Sequence, residues 1–383
     1  MQFRGTRVAA LLALALAFTM GCGSGFVRRP DDNRHEYSAG VARQLWRLSL
    51  HEYSQSESKP EECASGVLIG SRLIVGSRAG NLVSVDVDSG TAGWSRPLSG
   101  GMDGDVFYDE PRAQVYVGTD DGILYAIHPG TGETRWSYKA KGGLDRAPAA
   151  GPRGLFLTTS TDRLIALDPE TGGARWQYER ETPEGFTIHG YAGPLLEGDR
   201  VYSGFSDGYL VALQADTGTL LWSRSLASAS EQFVDVDATP IVRAGILYAA
   251  SFSGGIYAVR AKDGEVQWRA AVEGTSALTL AGDRLYASAP KTGIVALSLE
   301  GNILWRQGLS DSGDITPPAE MGPYLVWSTS RDGLFIVERA TGKLLQVFDP
   351  GRGMCAAPTI DTSRKSLYVL GNNGMLYALG LSY

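Results

Sequence analysis

Residues 121–136 read DGILYAIHPGTGETRW, residues 161–176 read TDRLIALDPETGGARW, and residues 207–222 read DGYLVALQADTGTLLW. A chain that repeats one pattern must bury the same face repeatedly, which restricts it to stacked or ring-closed repeat folds. Within each copy, apolar and mixed residues alternate with period two (Leu124 and Ala126 against Tyr125 and Ile127), the signature of a strand. A Thr-Gly or Asp-Gly turn follows, and then a second strand carrying Trp. The tryptophans fall at Trp46, Trp94, Trp136, Trp176, Trp222, Trp268 and Trp305, while the seventh copy, DGLFIVERATGKLLQV, puts Val347 at the Trp position. Another strand pair lies upstream of each copy, as in APAAGPRGLFLTTS (147–160) and ATPIVRAGILYAAS (238–251). Each unit is therefore four antiparallel strands over about 40 residues, the period of a propeller blade.

The two ends set the count. NNGMLYALGLSY (372–383) supplies a third strand with no Trp strand after it, and RQLWRLSL (43–50) is a Trp strand with nothing before it. Pairing them closes a ring and removes the two open edges a solenoid would have to cap. The expected fold is all-β: an eight-bladed β-propeller over residues 42–383, closed by pairing of its N- and C-terminal strands. A large indole on each outer strand fills the wedge between twisted sheets, and its N–H can bond a backbone carbonyl.

Ahead of the ring, Arg4 and Arg7 precede the apolar run VAALLALALAF, and Gly21 precedes Cys22. This is the layout of a bacterial lipoprotein signal: residues 1–21 are expected to be removed, Cys22 lipidated, and residues 22–41 to serve as a tether. The acyl anchor would be the membrane attachment. The net charge of −7 and the lack of any Lys/Arg run interleaved with aromatics argue against a nucleic-acid partner.

No pattern points to catalysis, a metal or a cofactor. GFSDG (204–208) has the spacing of a nucleophile elbow, but that motif needs a strand-to-helix turn and Ser206 sits in a hairpin. His35, His51, His128 and His189 lie far apart without metal-ligand spacing, and DVDSG (86–90) would put Pro97 where a calcium loop needs its last ligand. Cys63 and Cys355 hold the same place in the first and last blades. In an eight-fold ring, a disulfide spacing of about 5.5 Å needs a radius of about 7 Å, that of a channel mouth; two free thiols at strand starts are the alternative. Asp145, Asp237 and Asp314, with Tyr191, occupy the same position three residues before a strand proline. They form a rim of carboxylates that could receive basic groups or a cation, or they simply cap the turns entering the strands.

The repeat A-x-D-x-x-T-G-x-x-x-W resembles the pyrroloquinoline-quinone-type propeller repeat. Quinoprotein alcohol dehydrogenases share it but carry two adjacent cysteines, and no Cys-Cys pair occurs here. The signal with Cys22, the tether, the closing Trp strand and the segment DVDATPIV (235–242) together resemble the BamB family of outer-membrane assembly lipoproteins. That resemblance implies a non-catalytic, cofactor-free scaffold at the periplasmic face of the outer membrane. Its partner would be the BamA-like β-barrel insertase, held through its POTRA domains. It implies that Asp235 and Asp237 accept basic groups there, and that the loop FTIHG (186–190) contributes Phe186 and Ile188 as apolar anchors. His189 stands where the family usually has Arg. A different periplasmic scaffold propeller, or a quinoprotein-like enzyme, would fit the same repeat.

Overall fold

The computed structural model describes residues 40–51, 61–180, 191–227, 233–309 and 312–383. They form eight four-stranded antiparallel sheets, each sequential except one. The first blade runs Val67–Ile69, Arg72–Val75, Asn81–Asp86, Thr91–Pro97, and the next six repeat that order. In the eighth, Thr359–Asp361, Ser366–Leu370 and Met375–Leu381 are completed by the N-terminal strand Ala42–Ser49. Ala42 pairs with Leu381 and Trp46 with Ala378, so the ring closes by the expected N-to-C pairing. The short first strands meet around the centre, and Thr359–Asp361 of the eighth blade touches Val67–Ile69 of the first.

The core is a ring of eight apolar layers, one between each pair of blades. The layer at the closure joins Tyr368, Leu370 and Ala378 of the eighth blade to Leu73, Val75 and Val85 of the first, with Trp46 against it. The same arrangement recurs where Tyr116 and Leu124 of the second blade meet Leu155 and Ile165 of the third beside Trp136. Each layer is built from the alternate residues of two strand pairs, which is why a period-two pattern repeated eight times suffices to form it.

The tryptophans lock one blade to the next. Trp94 Nε1 donates to the carbonyl of Pro129 at 3.0 Å and Trp176 Nε1 to that of Ala215 at 2.9 Å, in both cases in the outer hairpin of the following blade. The other five ring tryptophans make the equivalent bond. The hairpin glycine lies flat beneath the indole: Gly132 has φ +75°, and a Cβ there would come within 2.5 Å of Trp94. One glycine thus serves both the left-handed turn and the close approach of the ring.

The seventh blade differs from the sequence expectation. Ile336 pairs with Gln346 as Ala126 pairs with Trp136, so Gln346, not Val347, stands at the Trp position. The chain between Gly333 and Gly342 is one residue shorter than between Gly122 and Gly132, which displaces a count made from the first glycine. Trp would find no hairpin to cover there, because the outer turn of the eighth blade is where the two chain ends meet. Gln346 instead accepts from Ala42 N at 2.8 Å and donates from Nε2 to Ala42 O at 3.0 Å, clasping the start of the closing strand.

Candidate docking site

Segments that cross from the outer strand of one blade to the inner strand of the next pass over one face of the ring. Several of them set an apolar residue onto the inner hairpin of the blade they leave. Met102 N donates to Ser77 O at 3.2 Å, Leu144 N to Thr119 O at 3.1 Å, and Val236 N to Phe205 O at 3.1 Å. Glycine makes the room: a side chain on Gly76, Gly118 or Gly204 would collide with Met102, Leu144 or Val236 respectively. The residue after the plug is Asp103, Asp145, Asp237 or, in the eighth blade, Cys355. The recurring rim position therefore follows from a packing rule.

Cys63 and Cys355 meet at this rim position in the first and eighth blades. They form a disulfide with Cα atoms 4.4 Å apart, linking the first and eighth blades. Glu61 is the third member of the only cluster of candidate ligand groups among the described residues. Two of its three groups are the bonded sulfurs, which are not thiolates and do not make a metal site.

Asp235 and Asp237 flank the Val236 plug between the fourth and fifth blades. Phe252 N donates to Asp235 O at 2.9 Å and Ser251 Oγ to Val234 O at 2.9 Å, holding the segment in place. Both aspartates are buried, 1% and 6% exposed, whereas Asp145 and Asp314 at the equivalent rim positions are exposed. The side chains of Asp235 and Asp237 are therefore largely covered, unlike those of Asp145 and Asp314. Oδ1 of Asp237 is buried without a hydrogen-bond partner, so that oxygen does not cap the turn. Burial, reinforced by the charges of Asp235 and Asp162 and opposed by Arg146, pushes the Asp237 carboxyl up to about 7. A carboxylate held in this state gains strongly from any cation brought beside it.

Arg146 donates from Nε to Tyr191 O at 2.8 Å, with its guanidinium over the Tyr191 ring, while Tyr191 Oη donates to Gly143 O at 3.3 Å. Ser206 donates its N–H to Asp162 Oδ1 at 3.1 Å and its hydroxyl to Asp162 Oδ2. The GFSDG serine is thus bonded to an aspartate in a hairpin, and Gly204 and Gly208 serve to seat Val236 and Val234. Arg180 pairs with Asp207 at 2.5 Å and covers the Tyr209 ring. Sequence reasoning missed Arg146, Asp162 and Phe233. Phe233 opens the Asp235 segment in a left-handed conformation, φ +60°, and is 40% exposed. No repeat pattern marks it, because it lies between repeats. Cys22, Phe186, Ile188 and His189 lie outside the described residues.

Closed ring, Trp-locked blades and crossing-loop face define an eight-bladed propeller of the pyrroloquinoline-quinone repeat class. Residues 111–300 match the family model described as "Outer membrane protein assembly factor BamB". Residues 111–300, from the second blade into the sixth, thus carry the repeat of that family. Among solved structures it is similar to BamB from Moraxella catarrhalis (TM-score 0.76, 23% identity, covering 89% of this chain and 100% of that one). It is also similar to the computationally designed Ika8 protein (TM-score 0.70, 15% identity, 87% of this chain and 98% of that one). A third similar structure is the quinohemoprotein alcohol dehydrogenase from Comamonas testosteroni (TM-score 0.67, 14% identity, 90% of this chain and 77% of that one). At these identities the three structures speak for the fold alone. No curated protein matches the chain.

Proposed function

We propose that the protein is a non-catalytic scaffold of the outer-membrane β-barrel assembly machine. Lipidated at Cys22 and held at the periplasmic face of the outer membrane, it would present its crossing-loop face to a POTRA domain of the BamA-like insertase. The family match supports the setting. The single observation that carries the site is the buried Asp237 oxygen left without a hydrogen bond next to Asp235, on a loop between blades. Uncompensated burial of a carboxylate is costly, and a partner's Lys or Arg seated over the segment would offset part of that cost through space on docking. On the family resemblance, the segment FTIHG (186–190), which lies outside the described residues, would add apolar contact through Phe186 and Ile188, with His189 as a polar neighbour. A rigid ring presents such neighbouring loops as one surface.

Since both carboxylates are covered, charge reversal would bury a cation and disturb the fold. Asparagine is the suitable substitute. Calorimetry of the full chain against the insertase's POTRA domains should show the Asp235→Asn/Asp237→Asn variant binding at least tenfold more weakly, about 1.4 kcal/mol. Asp145→Asn should change affinity little. Wild-type affinity in a folded double variant would remove this interface from consideration.

A further inference from the structure

We infer that Phe233 is an apolar anchor of the docking face, inserting into a cleft of the partner that lies beside the basic group received by Asp235 and Asp237. The inference rests on the docking function proposed above and names a contact outside the family's expected set. Three observations carry it.

Phe233 is a bulky residue with φ +60°, a conformation that L side chains other than Asn or Asp rarely adopt. The other non-glycine residues in this region of backbone space are Ala113, Asp162, Ala244 and Lys365. Among them Phe233 alone combines the strain with a large exposed apolar side chain, 40% accessible. Position 233 would accept glycine without strain, so the aromatic side chain sits there at a local backbone cost.

The loop leaves the ring no freedom to hide it. Val234 packs on Gly208, Val236 on Gly204, and the Val234 and Asp235 carbonyls are both bonded to the fifth blade. The segment is pinned from Val234 onward, and Phe233 is the first residue outside the pinned stretch. An exposed aromatic joined directly to a pinned segment has its attachment point fixed, which lowers the cost of ordering it on binding.

Charge and apolarity are adjacent in sequence and on one face. Phe233 lies two residues from Asp235 and four from Asp237. The matching partner surface is an apolar cleft flanked by Lys or Arg, not a membrane or a nucleic acid, which would meet an acidic loop unfavourably.

The test uses the full-length protein in detergent, the insertase's POTRA domains, and the variants Phe233→Gly and Phe233→Leu. Phe233→Gly should weaken binding tenfold or more while leaving the melting temperature equal or higher, since it relieves the left-handed strain. Phe233→Leu should retain most of the affinity. A Gly variant that binds within twofold of wild type overturns the anchor, as does a lowered melting temperature, which would make Phe233 a packing residue. Failure of wild type itself to bind the POTRA domains strikes the docking function first and takes the anchor with it.

Discussion

Gly132 and Gly70 both take left-handed backbone, φ +75° and +62°, yet they hold unequal responsibilities. A methyl on Gly132 would meet the Trp94 ring at 2.5 Å, while one on Gly70 meets nothing within 4 Å. Gly70→Ala should therefore cost only the backbone term, about 1 kcal/mol. Gly132→Ala adds displacement of an indole bonded to Pro129 O, and about 2–4 kcal/mol is expected. Urea titrations of the two variants side by side measure the difference. Equal losses would mean that the Trp–Gly contact contributes nothing to holding adjacent blades. Gly132 was visible in the repeat as the glycine of its Thr-Gly turn, but the indole above it was not, because it belongs to the preceding blade.

Among the elements, the crossing segment at Val234–Asp237 couples stability to pH. An unfolded aspartate ionises near 4, and in the fold Asp237 ionises at about 7. Between those values the folded protein holds a proton that the unfolded chain has released, so stability falls as pH rises through this window and the loss is complete above it. Asp237→Asn removes the ionisation and should flatten this dependence. At pH 8 it should stabilise the protein by up to about 4 kcal/mol, and near pH 4 by little, since about three units at about 1.36 kcal/mol each are at stake. Melting temperatures at pH 5 and pH 8 for both proteins decide it; a parallel shift at both would assign the effect to something other than this proton. The same substitution should weaken docking. Gain of stability with loss of binding is the mark of a site kept for function.

For the whole molecule, ring closure depends on two devices at one seam: the strand Ala42–Ser49 in the eighth blade and the Cys63–Cys355 bond between the eighth and first. The disulfide spans 292 residues of sequence, and a cross-link closing so long a loop restricts the unfolded chain strongly. Replacing both cysteines by serine should lower stability by about 2–5 kcal/mol, and adding reductant to the wild type should reproduce the loss. Differential scanning calorimetry with and without dithiothreitol checks it; a reductant-insensitive transition would show that strand pairing alone keeps the ring shut. Gln346 belongs to the same seam. It replaces the tryptophan of the other blades because the hairpin a tryptophan would cover is divided between the two termini.

Blade number, strand order and closure were legible in the sequence because each depends on local chemistry: period-two alternation, Thr-Gly turns, and a Trp strand stranded at one end with its partners at the other. Repetition multiplies a weak local signal until only a ring satisfies it. The candidate site was legible only as a position. Asp145, Asp237 and Asp314 are equivalent in sequence, yet Asp237 is buried and the other two are exposed, since burial depends on what neighbouring segments lay over each one. The left-handed Phe233, the Asp162–Ser206 bond and the Gln346 clasp likewise arise between residues distant in the chain. The tertiary structure alone decided these, because packing, desolvation and strain are set by atoms that no local stretch of sequence contains.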